Sequence, residues 1–99
     1  MARIDGRAVP DRAALLSQLA AALKFPAYFG GNLDALHDCV SDLEQFAPAP
    51  GYLVLIEHGD AACPSRREDF TAVVEVLYEA ARERSAQPGA KPFRVAVSA

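Results

Sequence analysis

Three aspartates, Asp34, Asp38 and Asp42, recur at intervals of four within the segment FPAYFGGNLDALHDCVSDLEQF, residues 25–46. On a helix that spacing stacks them into one stripe. Like charges one turn apart destabilise a helix by roughly a few tenths of a kcal/mol per pair, and no Lys or Arg lies close in sequence to relieve them. A chain that carries this repulsion has a use for the field it makes, and the simplest use is to bind a positively charged surface. A second chemistry is open to the same residues. Asp34, His37 and Asp38 stand at i, i+3 and i+4, so their side chains could converge on a divalent cation. Three ligands on one helix, with only His58 in reserve, make a poor site, so neither a metal nor another cofactor is expected.

The elements that must carry these residues follow from periodicity. Leu33, Leu36, Val40 and Leu43 recur at helical spacing beside the acidic stripe, which predicts a helix over residues 33–44 with Asn32 as its N-cap. Gly30-Gly31 supplies the turn before it, Gly31 chiefly for its backbone freedom. Upstream, Ala2–Ile4 reads as a short strand ended by Asp5-Gly6. Asp11 caps a helix over residues 12–24 whose apolar positions are Leu15, Leu16, Leu19, Ala22 and Leu23, and Pro26 stops it. Phe25 and Phe29 read as core residues. Downstream, Ala47-Pro48-Ala49-Pro50-Gly51 is a linker. The continuous apolar run Tyr52–Ile56 predicts a strand buried on both faces. Ser65 and Glu68 have the spacing of a capping box for a helix over residues 66–84, which buries Phe70, Val73, Val74, Leu77, Ala80 and Ala81. Phe93–Val97 is the last strand. Strands separated by helices imply right-handed parallel crossovers. The expected fold is therefore α/β, a three-stranded parallel sheet with three main helices and Tyr52–Ile56 at or near its centre.

The chain has 99 residues and a net charge of −3, which suits one domain over residues 1–99. The charge is unevenly spread. From Phe25 to Ser65 there is no Lys or Arg, whereas Asp34, Asp38, Asp42, Glu44, Glu57 and Asp60 all fall in that interval. A purely acidic middle argues against direct binding of nucleic acid, which needs a basic face. No apolar run approaches the ~20 residues that span a bilayer, so no membrane association is expected. The N-terminus MARIDGRAVPD lacks the apolar stretch of a signal peptide, which points to the cytoplasm. Cys39 and Cys63 have no metal-ligand or disulfide-framework spacing. Cys39 is expected to be a buried thiol and Cys63 to sit in a polar loop, without a disulfide between them.

The run Phe25-Pro26-x-Tyr28-Phe29-Gly30-x-Asn32-Leu33-Asp34-Ala35-Leu36-x-Asp38-Cys39 resembles the barstar family, small intracellular inhibitors of guanyl-specific ribonucleases. Val76-Leu77-Tyr78-Glu79-Ala80 resembles the family's late-helix segment. The resemblance implies no enzymatic activity and tight one-to-one binding in the basic active-site cleft of a ribonuclease, by a protein that is monomeric when free. Carried over by position, it implies that Asp38 enters the nuclease's phosphate site and that Asp34 adds a second carboxylate one turn earlier. Tyr28 would pack on the partner, Gly30 and Asn32 would offer backbone and polar groups, and Glu79 would be an outlying acidic contact. Two departures stand out. His37 replaces the tryptophan of the family's best-known member, exchanging a large apolar contact for a smaller, titratable one. Val40-Ser41-Asp42-Leu43 replaces a Thr-Gly-Trp-like turn. Both leave open a second reading, a barstar-like binding or immunity module directed at another toxin or enzyme.

Overall fold

The computed structural model describes residues 1–27 and 29–99, so Tyr28, the expected aromatic contact, lies outside the described residues. In chain order the elements are β1 (Ala2–Asp5), a 3-10 turn at Gly6–Ala8, α1 (Arg12–Ala22), α2 (Leu33–Ser41), α3 (Leu43–Phe46), β2 (Tyr52–Glu57), a 3-10 turn at Gly59–Ala61, α4 (Arg67–Ser85) and β3 (Phe93–Val97). The sheet has the order β1-β2-β3 and is parallel throughout, with Ile4 opposite Ile56 and Ile56 opposite Val97. The α/β class, the parallel sheet and the central position of β2 are as the sequence predicts.

The expectation that β2 is buried on both faces does not hold. Val54 and Ile56 are fully buried, whereas Leu53 and Leu55, which alternate with them, are only partly covered. Their neighbours across the sheet, Arg3, Arg94 and Ala96, are exposed. The reason is topological. In the order β1-β2-β3 both crossovers step in the same direction, and right-handed connections that do so place all helices on one side. The core lies on that side. Ala2, Ile4, Val54, Ile56 and Phe93 from the sheet meet Leu15, Leu16 and Leu19 of α1, Leu36 and Val40 of α2, Leu43 of α3, and Phe70, Val73, Leu77 and Ala80 of α4.

Helix starts follow local chemistry in two cases and depart from it in a third. Asp11 Oδ1 accepts from the Ala14 amide and Asn32 Oδ1 from the Ala35 amide, each at 2.8 Å, so both expected N-caps form. The capping box at Ser65 does not. The N-cap of α4 is Arg66, which makes no side-chain cap bond. The Arg66 amide donates to the Cys63 carbonyl at 3.1 Å, with Cys63 in the left-handed region at φ +48°. That tight turn occupies the residues the box would need. Cys63 lies in the loop before α4, as expected, but is itself buried there, and among the described residues both cysteines are free.

The predicted helix over residues 33–44 is two helices. The Asp42 amide still reaches the carbonyls of Asp38 and Cys39 at 3.2 Å each, but α2 ends at Ser41 and the chain turns into α3. A buried cation of α4 fixes this break. Arg84 is 3% exposed. Its guanidinium donates to the Val40 carbonyl at 3.0 Å, to both carboxylate oxygens of Glu44 at 2.9 and 2.6 Å, and to the Lys91 carbonyl at 2.9 Å. Val40 lies in the last turn of α2, where backbone carbonyls lack helical partners and favour a cation.

Candidate functional site

Asp34, His37 and Asp38 leave α2 on the side opposite its buried residues Leu36, Cys39 and Val40. Helix α2 packs on α4, and the seam between them opens as a groove lined by Leu33, Asp34, His37, Asp38, Val76 and Glu79. Four residues singled out in the sequence, Asp34, His37, Asp38 and Glu79, thus come together from two helices 46 positions apart at the His37–Glu83 pair. The carboxylates are free to meet a partner. Asp34 and Glu79 are exposed, and the Asp38 side chain is 82% exposed.

His37 is the half-buried member of the group. Its Nε2 lies 2.9 Å from Glu83 Oε2, and its Nδ1 lies 3.9 Å from Asp38 Oδ1. The Glu83 hydrogen bond holds the imidazole pKa above its ordinary value, and the negative charges of Glu83, Glu79 and Asp38 add to that, against the opposing effect of burial. Glu83 is the site residue the sequence reading missed. Glu75, Glu79 and Glu83 form a stripe that looks like a solvated face, and only the packing of α4 on α2 shows that its last member is paired. The signal was present in the spacing, since Glu83 follows Glu79 by one turn.

Asp34, His37 and Asp38 do not form the triad considered from sequence. Among the described residues the set whose ligand atoms lie within 4.8 Å of one another is His37, Glu79 and Glu83. Its imidazole is already hydrogen-bonded to Glu83, one of its two carboxylates, and both carboxylates are exposed. Its His37–Glu83 contact has the geometry of an ion pair in an acidic groove.

The loop before α2 serves the helix. Asn32 is exposed and spends its side-chain oxygen on the cap of α2. Gly31 sits at φ +68°, which favours glycine. Gly30 is exposed and nearby atoms leave room for a Cβ. Phe25 packs on Phe29 and Phe46, with ring centroids 5.0 and 6.1 Å apart, and all three lie against the core. The aromatic loop therefore anchors the start of α2 at one end while Arg84 holds its other end.

Compared with known protein families, residues 1–98 match Barstar, described as barnase inhibitor. The chain belongs to the barstar family. The match spans essentially the whole chain, and the parallel sheet with its helices agrees with a barstar-like fold. No curated protein matches it. Members of the barstar family are inhibitors, not enzymes, and membership implies a ribonuclease as the binding partner. No helix among the described residues is long and apolar enough to cross a membrane.

Proposed function

We propose that this barstar-family protein inhibits a guanyl-specific, barnase-like ribonuclease by seating the acidic groove between α2 and α4 in the nuclease's active site. The observation that carries the reading is the convergence of Asp34, Asp38 and Glu79 on one groove, exposed and, among the described residues, without an intramolecular cation other than His37. A ribonuclease stabilises phosphate charge in its transition state, so its cleft is lined with cationic groups. Carboxylates set at the phosphate positions satisfy those groups and exclude substrate. No bond is made or broken, and occlusion is steric and electrostatic.

Asp38 is the central contact in this reading, because it is an exposed carboxylate near the middle of α2, between Asp34 on its own helix and Glu79 across the groove. Asp34 and Glu79 flank it, Gly30 and Asn32 form the adjoining rim, and Tyr28 is a further partner contact that the family resemblance implies. The same field steers association, raising the encounter rate most at low salt; nuclease–inhibitor pairs of this family are the standard illustration of that effect. The complex is one-to-one, the free protein monomeric, and its place of action the cytoplasm, where a nuclease threatens its own producer.

The pairing of His37 with Glu83 favours a second target class, because it puts a polar, charged contact where the family's best-known member has an apolar one. A toxin or enzyme other than a guanyl-specific ribonuclease is then the partner of the same groove. Titration calorimetry against a guanyl-specific ribonuclease separates the two. Tight one-to-one binding supports the first reading, and its absence, with capture of a different basic protein through Asp38, supports the second.

A further inference from the structure

We propose that His37 is the groove's own counter-ion: the imidazolium between Glu83 and Asp38 holds the place that a basic partner's cation takes, so docking expels its proton. The inference rests on the nuclease-inhibitor reading and adds a regulation of the same site. Among the described residues His37 is the one cationic group lining the groove, and every ionisable group set against it is acidic. Asp34 and Asp38 face it from α2, and Glu79 and Glu83 face it from α4. The Nε2–Glu83 contact of 2.9 Å has the geometry of a charge-assisted hydrogen bond.

A nuclease cleft brings Arg and Lys side chains to these carboxylates. Arg offers a planar fork that matches a carboxylate better than one imidazole N–H does. Once those cations are in place, the negative charge that favoured the imidazolium is neutralised, and a protonated ring is left beside like charges in a site losing its water. That arrangement is costly. Neutral His37 avoids the cost and fills its space as an uncharged ring. Protonation and nuclease binding therefore compete for the same carboxylates. Each must weaken the other by the same factor. The sign follows directly. Above the pKa of His37 the groove is open and binding is at full strength. Below it, affinity falls by up to about tenfold per pH unit, the limit for one linked proton.

The nuclease has titrating groups of its own, so the test is a comparison. Wild type and His37→Gln are titrated calorimetrically with a guanyl-specific ribonuclease between about pH 5.5 and 8, in buffers of different ionisation enthalpy. The ratio of wild-type to variant affinity should rise with pH across that range, by up to about tenfold per pH unit, and wild type should release more protons on binding than the variant, up to one, at the acid end of the range. In parallel, NMR titration of the His37 ring in the free protein should give a raised pKa that drops in Glu83→Gln. A ratio independent of pH, with equal proton release, overturns the inference and leaves the inhibitor reading intact. A His37 ring that titrates identically in wild type and Glu83→Gln also overturns it, without involving any nuclease. No binding at any pH overturns the inhibitor reading, and this inference falls with it.

Discussion

Arg84 of α4 reaches Glu44 of α3 through two hydrogen bonds, at 2.9 and 2.6 Å, and in doing so closes the end of the helix that carries Asp34 and Asp38. The guanidinium lies 5.4 and 5.9 Å from the ring centroids of Tyr52 and Phe93, so strand β2, strand β3 and the C-terminal carbonyls of α2 share one cation. Glu44 in turn accepts from the Lys91 amide at 2.9 Å.

Removing either partner should leave a buried charge or buried carbonyls unpaired. A fully buried pair broken on one side costs ~3–5 kcal/mol. The Glu44 side chain is 33% exposed, so solvent screens part of this, and Arg84→Met should cost about 2–3 kcal/mol. Urea denaturation checks the value. A loss below about 0.5 kcal/mol, the scale of an ordinary surface change, would remove Arg84 from its structural role.

The same pair sets the response to acid. The Arg84 hydrogen bonds, helped by the Lys91 amide, lower the Glu44 pKa from 4.5 to about 2. A carboxylate with a depressed folded pKa contributes stability that is complete above its unfolded value and is lost as pH falls through the folded one. Wild type should therefore lose stability between about pH 5 and pH 2. Glu44→Gln should be less stable than wild type at neutral pH, with the gap closing over that window. A gap that stays constant from neutral pH to pH 2 would show that ionised Glu44 is not what the pair uses.

Gly6 is held by a close approach, not by its backbone angles. A Cβ at this position would stand 2.1 Å from the His58 carbonyl oxygen and 2.8 Å from its carbon. Both atoms are backbone, and β1 and β2 are tied in register just before them, Asp5 opposite Glu57. Gly6→Ala should destabilise by at least about 2 kcal/mol, as overpacking against a rigid neighbour does. Gly31→Ala should be milder, since among the described residues nothing lies within 4 Å and φ +68° is what opposes it. Melting temperatures of the two variants check the order, and Gly6→Ala melting at or above Gly31→Ala would refute it.

Much of the fold was legible because it rests on local signals. Leu15, Leu16 and Leu19 mark α1 by their spacing, Asp11 and Asn32 mark two helix starts, and the apolar run Tyr52–Ile56 marks the central strand. What stayed hidden is set by packing between distant segments. Leu53 and Leu55 read as buried because composition cannot tell which sheet face the crossovers leave open. The break at Asp42 depends on Arg84, 42 positions away, and an Arg beside Arg82 in a charged helix looks like a solvated one. Ser65 and Glu68 have the spacing of a capping box, but the left-handed turn at Cys63 takes the chain elsewhere. In the site, Asp34, Asp38 and Glu79 were identified individually. That they line one groove, with Glu83 bound to His37, follows only from the contact between α2 and α4.

The central claim is that Asp38 is the contact on which inhibition depends. Titration calorimetry of wild type and Asp38→Ala against a guanyl-specific ribonuclease, with melting temperatures of both free proteins, tests it most directly. Wild type should bind tightly and one-to-one. The variant should lose at least ~2 kcal/mol of binding, mainly through faster dissociation, and its melting temperature should hold or rise, because a like-charge neighbour of Asp34 is gone. An Asp38→Ala protein that binds as wild type does, or that fails to fold, would contradict the account.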